Sequence, residues 1–102
     1  MSTFAFGEKY ITKGVQERIP ILLVLFIWET IDRGREERTL DYLQIFTFYV
    51  EDNQQKIKHE QEQPPYERVY VCGKAEGMVT ITEKVYVIDD GDHITMLLAS
   101  EY

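Results

Sequence analysis

The sequence predicts an α+β fold: a short N-terminal strand, then one main helix packed on a curled antiparallel sheet of about five strands. Up to about residue 33 the apolar residues recur at helical spacing, and from residue 40 onward they alternate, the period of a strand. Turn formers punctuate the second region at intervals that suit strands: Asp52-Asn53, Pro64-Pro65, Gly73, Gly77 and Asp90-Gly91. A chain of 102 residues is read as a single domain over 1–102. Folding at that length buries roughly 60–70% of the extended surface, enough for a core without staples.

The first element is expected to be a short strand or extended arm over 9–15, KYITKGV, bounded by Gly7 and Gly14. Pro20 suits the first turn of a helix, where its missing N–H costs nothing. That helix is expected to run from 19 or 20 to about 33, with Gly34 as its stop. At helical spacing Val24, Ile27, Trp28 and Ile31 share one stripe, flanked by Ile21 and Leu23, and this stripe should face the core. Glu29, Asp32 and Arg33 lie on the opposite side, but so do Leu22, Leu25 and Phe26. Either the rest of the chain covers the first half of the helix all round, or these three residues meet a partner.

LDYLQIFTFYVE, from residue 40, is apolar on both faces and reads as a central strand. QKIKHEQEQ follows as a polar ribbon, expected to be an edge strand whose lysines and glutamates block aggregation. YERVYVC at 66–72, a long strand MVTITEKVYVI at 78–88 and HITMLLA at 93–99 complete the set. Strand, helix and then a meander of strands is an element order shared by cystatin-like and nuclear-transport-factor-like topologies. It carries no function with it.

With 18 acidic against 11 basic residues the net charge is -7, which argues against nucleic acid, since phosphate affinity needs clustered Lys and Arg. RGREER at 33–38 interleaves acids with its arginines and reads as a solvated helix end. The longest strongly apolar stretch, IPILLVLFIW, has ten residues, half of what a membrane span of about 20 needs. MSTFAFGEKY lacks the layout of a signal peptide, and Cys72 is the sole cysteine, so a reducing cytoplasm is the expected compartment.

Chemistry is concentrated in VIDDGDHITMLL, where three aspartates and a histidine fall within five positions. Asp89, Asp92 and His93, joined by His59 from the polar ribbon, are the candidates for a metal site. The hairpin reading is preferred, because Asp-Gly between two strand-like runs is a strong turn signal. A calcium loop would need alternating ligands, a downstream glutamate and flanking helices, and zinc would need a histidine spacing that is absent. Cys72 within VYVCG reads as a small buried hydrophobe. No nucleophile elbow, phosphate loop or dinucleotide fingerprint occurs. No catalytic residue or cofactor is therefore assigned.

KYITKGVQERIP, FIWETID, LDYLQIF, KIKHEQEQPPYE and the closing VIDDGDHITMLLASEY together resemble the family catalogued as domain of unknown function 960, small cytoplasmic proteins of Gram-positive bacteria. The resemblance covers nearly the full length. It implies a single small α+β domain in a bacterial cytoplasm and supplies no activity. Function is then expected to be non-enzymatic: a protein-interaction or self-associating module, such as a homodimer, using Leu22, Leu25 and Phe26, without nucleic acid or membrane. The alternative is a small hydrolase or ligand-binding protein with a pocket between helix and sheet, possibly metal-dependent. A third idea, an acidic mimic of nucleic acid, rests on charge alone.

Overall fold

The computed structural model describes residues 9–74 and 80–102. The chain runs through β1 (Lys9–Ile11), α1 (Lys13–Arg18), α2 (Ile21–Glu37), β2 (Leu43–Glu51), β3 (Gln54–Gln61), β4 (Tyr66–Lys74), β5 (Lys84–Asp89), β6 (Ile94–Leu98) and a final 3₁₀ turn, Ala99–Glu101. Among the described residues six strands form one sheet, in the order β1-β6-β5-β2-β3-β4.

The first strand is shorter than expected. It ends at Ile11 because Thr12 caps α1, its Oγ1 accepting from the Val15 backbone N–H at 3.3 Å. Val15 is then fully buried in a helix instead of alternating along a strand. A second departure concerns direction: β1 pairs with β6 in parallel, so the sheet is mixed and has six strands. Alternation in a sequence gives the faces of a strand but not its neighbours, and here the first strand joins the last. The predicted strand over 78–88 contracts to Lys84–Asp89 within the described residues, residues 80–83 being irregular. Residues 78 and 79, with Gly7 and Gly77, lie outside the described residues.

Pro20 caps α2, its carbonyl accepting from the N–H groups of Leu23 and Val24. The helix passes through Gly34 and ends three residues later. Gly34 is buried, and a Cβ there would come within 3.1 Å of Leu40 Cδ2. The glycine thus serves a close approach of the following loop, not a helix stop. The buried stripe is Val24, Ile27, Thr30, Ile31 and Gly34, so the helix is rolled away from the expected orientation: Trp28 is half-buried and Ile21 is exposed.

The stripe packs on one face of the sheet, against Phe46 and Phe48 of β2, Ile57 of β3, Val85 and Val87 of β5, and Ile94, Met96 and Leu98 of β6. Both sheet edges reach the same helix. Lys9 on β1 pairs with Asp32 at 2.6 Å, and Tyr70 on β4 packs edge-on to Phe26 with ring centroids 5.1 Å apart. Six strands spaced about 4.8 Å apart span roughly 24 Å if flat, twice the width of a helix. The sheet therefore curls around α2.

The polar ribbon is not an edge. β3 lies between β2 and β4, and Gln55, Ile57, His59 and Gln61, at alternate positions, are all buried under the helix layer. Its lysines and Glu60 take the opposite face. The expected edge protection belongs to an internal strand, tolerated because each buried amide is hydrogen-bonded.

Candidate functional site

Beneath the C-terminal end of α2, the covered face of the sheet holds a polar cluster within the core. Gln61 Nε2 donates to the carbonyls of Thr39 and Pro64, at 3.1 and 2.8 Å, and its Oε1 accepts from the Asp41 N–H and from Gln44 Nε2. Gln44 Nε2 also donates to the Asp41 carbonyl, at 2.9 Å. With both amide hydrogens so used, Gln44 presents its oxygen to His59 Nε2, 2.6 Å away. That contact fixes the tautomer: Nε2 carries the proton and Nδ1 is the bare acceptor. His59 Nδ1 is buried and has no hydrogen-bond partner.

The His59 ring is fully buried, stacked on Phe46 with centroids 4.3 Å apart and met edge-on by Tyr66. Desolvation, and secondarily the nearby Arg38 charge, lower its pKa from 6.5 to about 4. Arg38 lies over the Tyr66 ring at 3.9 Å and donates to its hydroxyl at 3.1 Å. Beside this cluster is a cleft of about 410 Å³, lined by Arg35, Arg38, Asp41, Gln44 and Asp89 and by the apolar Ile31 and Val87. Among the described residues Arg38 forms an ion pair with Glu37, at 3.4 Å, and none with Asp41 or Asp89.

The aspartate-rich corner is held by its own backbone. Asp89 Oδ1 accepts from the Gly91 N–H, Asp90 Oδ1 accepts from those of Asp92 and His93, and Gly91 has φ +100°. Those backbone donors, chiefly the His93 N–H, hold the Asp90 carboxyl below its ordinary pKa. His93 Nε2 sits 3.1 Å from Asp90 Oδ2, and its ring meets Tyr10 edge-on. His59 is elsewhere, since β3 and β6 are separated by β2 and β5, roughly 14 Å at sheet spacing. The two histidines and the aspartates do not converge, and among the described residues no group of three or more His, Cys, Asp or Glu is arranged to hold a metal. Cys72 is half-buried, and burial raises its pKa, which suits packing better than nucleophilic attack.

The third region is apolar. Ile21, Leu22 and Leu25 are 64%, 75% and 54% exposed. Phe26 is half-buried on Tyr70. The fold thus divides the predicted trio: Leu22 and Leu25 stand at the crest of α2, and Phe26 leans toward β4. On the other flank a groove of about 500 Å³ runs between α2 and β1, lined by Ile11, Ile21, Val24, Leu25 and Trp28. Lys9 and Asp32 close its end, with the ammonium 5.3 Å over the Trp28 ring.

Sequence reading singles out Leu22, Leu25 and Phe26 but sets Ile21 beside the core stripe, and it misses the buried cluster of Gln44, His59 and Gln61. A signal was present: Gln55, His59 and Gln61 share their parity with the apolar Ile57.

The family described as "Staphylococcal protein of unknown function (DUF960)" matches residues 8–101. Among solved structures, the chain is similar to a crystal structure of a protein of unknown function from Enterococcus faecalis. The TM-score is 0.78 and the identity 22%, covering 100% of this chain and 97% of that one. At that identity the likeness concerns the fold. No curated protein matches.

Proposed function

Because the chain belongs to the DUF960 family, which is described only as of unknown function, we propose a role from its own surfaces: a non-enzymatic protein-binding module that docks its partner on the N-terminal half of α2. The observation that carries this is the contiguous exposure of Ile21, Leu22 and Leu25 beside the apolar groove along β1. Scattered surface leucines need no explanation, whereas a run of three on one crest, continuous with a groove, marks an interaction surface. Helix-in-groove recognition uses apolar anchors one turn apart. Glu29 and Asp32 at the groove's end are already paired, with Arg33 and Lys9, so the surface offers a partner chiefly its apolar anchors.

A photo-crosslinking amino acid placed at position 22 or 25, in the native host, tests the reading, with position 36 on the solvent side of the same helix as control. Discrete protein adducts at 22 and 25, absent at 36 and lost when Ile21 is changed to Glu, are expected. Equal labelling at all three positions would sink it.

The cleft over Gln44 supports a second reading, a small-molecule site. Two arginines, Arg35 and Arg38, and two carboxylates, Asp41 and Asp89, line one space, and Arg38 pairs with Glu37 beside it. Such walls suit a small zwitterion with an apolar body. Free leucine at millimolar concentration should then shift the amide resonances of Asp41 and Asp89, and leucine amide should not. Identical spectra with and without leucine would remove this reading.

A further inference from the structure

We propose that a second copy of this chain adds to the sheet along β4, antiparallel and centred on Tyr70. β4 is a nine-residue edge strand. Among the described residues, its outward N–H and C=O groups meet no backbone partner. The opposite edge, β1, has three residues and offers little to a neighbour. Long regular edges are templates for another strand, and chains that keep them bare guard them with lysine, proline or a bulge. Between Tyr66 and Val71, where its pairing with β3 is unbroken, β4 has no lysine, proline or bulge and its charges are confined to Glu67 and Arg68; the register slips at Cys72, between Val71 and Gly73. It displays Val69 and Val71 instead, 46% and 56% exposed on the open face of the sheet.

The sequence of the edge says what covers it. Val69-Tyr70-Val71 reads the same in both directions, so two antiparallel copies centred on Tyr70 set Val69 against the partner's Val71 and Val71 against the partner's Val69. Both tyrosines stay on the helix side, and the four valines form one cross-strand group on the open face, the kind of pairing that stabilises sheets. A shift of one residue would mix the two faces. Centring on Val69 instead would oppose Val71 to the partner's Glu67. Beyond Val71 the strand is irregular at Cys72 and Gly73, so Glu67 and Arg68 lie opposite that irregular stretch of the partner, where neither Cys72 nor Gly73 brings a like charge. The groove at β1 is on the other edge and stays open, so this assembly is independent of the proposed docking surface.

Light scattering and amide hydrogen exchange across a range of protein concentrations test the proposal. The wild type should have the mass of two chains, with β4 amides that become protected as concentration rises. Val69→Lys with Val71→Lys should give the mass of one chain and fast-exchanging β4 amides, while β2 and β3 keep their protection, because both valines are outside the core. Leu22→Glu with Leu25→Glu should remain a dimer. A wild type of single-chain mass at its highest soluble concentration overturns the proposal, and that reading needs no variant. So does a dimer whose β4 amides exchange freely.

Discussion

His59 shows what one buried side chain imposes. Its Nε2 is committed to Gln44 and its Nδ1 accepts nothing, so the fold holds the neutral ring and resists a second proton. The pKa falls from 6.5 to about 4, because of burial first and Arg38 second. Between those two values the unfolded chain binds the proton and the folded chain does not, so stability falls as pH falls through that window. A displacement of that size corresponds to about 3 kcal/mol. His59→Gln retains an amide donor for Gln44 and removes the titration. Urea midpoints measured from pH 7 to pH 4 should drop less steeply in the variant than in the wild type. Parallel curves would mean that the ring is wetter than the structure shows. The parity of His59 with Ile57 is a signal of burial that the edge-strand reading of the polar ribbon overlooks. The bonding of His59 was not legible, because Gln44 lies on another strand.

Among the elements, α2 was the most legible. Period and Pro20 place its start, and the surplus of apolar residues was visible in Leu22, Leu25 and Phe26. Two properties were hidden: its roll about its own axis, which leaves Ile21 exposed, and the close approach of Leu40 to Gly34. Strand pairing is harder, since a polar ribbon such as β3 looks like an edge until the hydrogen-bond partners of its amides are known. The helix allows a direct comparison two residues apart. Ile27 is fully buried and Leu25 is 54% exposed. Ile27→Ala should cost about 2–5 kcal/mol, the range for aliphatic truncation in a core. Leu25→Ala should stay within about 0.5 kcal/mol, as surface changes do. Urea unfolding with an unchanged slope would measure both. A loss at Leu25 close to that at Ile27, growing with protein concentration, would show the crest to be buried between chains.

For the whole molecule, the parallel contact of β1 with β6 joins segments from near the two ends of the sequence, the longest-range pairing in the sheet. Glu101 fastens it. Its carboxylate accepts from Thr12 Oγ1 at 2.6 Å and from the Leu98 N–H at 2.8 Å, and Thr12 in turn donates its backbone N–H to the Met96 carbonyl. Those hydrogen bonds, that from Thr12 foremost, keep the Glu101 pKa below 4.5. Its contribution is therefore present above that ordinary value and lost as pH falls through the lowered one. Gly14 leaves room for the carboxylate, since a Cβ there would come within 2.7 Å of Glu101 Cδ. Closing so long a loop is entropically costly and is offset only when the remaining strands are already assembled. This contact should then be missing from the transition state, so that loosening it accelerates unfolding and leaves folding alone. Glu101→Ala, followed by stopped-flow unfolding and refolding at neutral pH, should raise the unfolding limb of the chevron at an unchanged folding limb. Hydrogen exchange should quicken in β1 and β6 before β2 and β3. A slower folding limb would place the union of the ends in the nucleus and reverse the assembly order, making α2 and the central strands dependent on a contact that the local sequence does not encode.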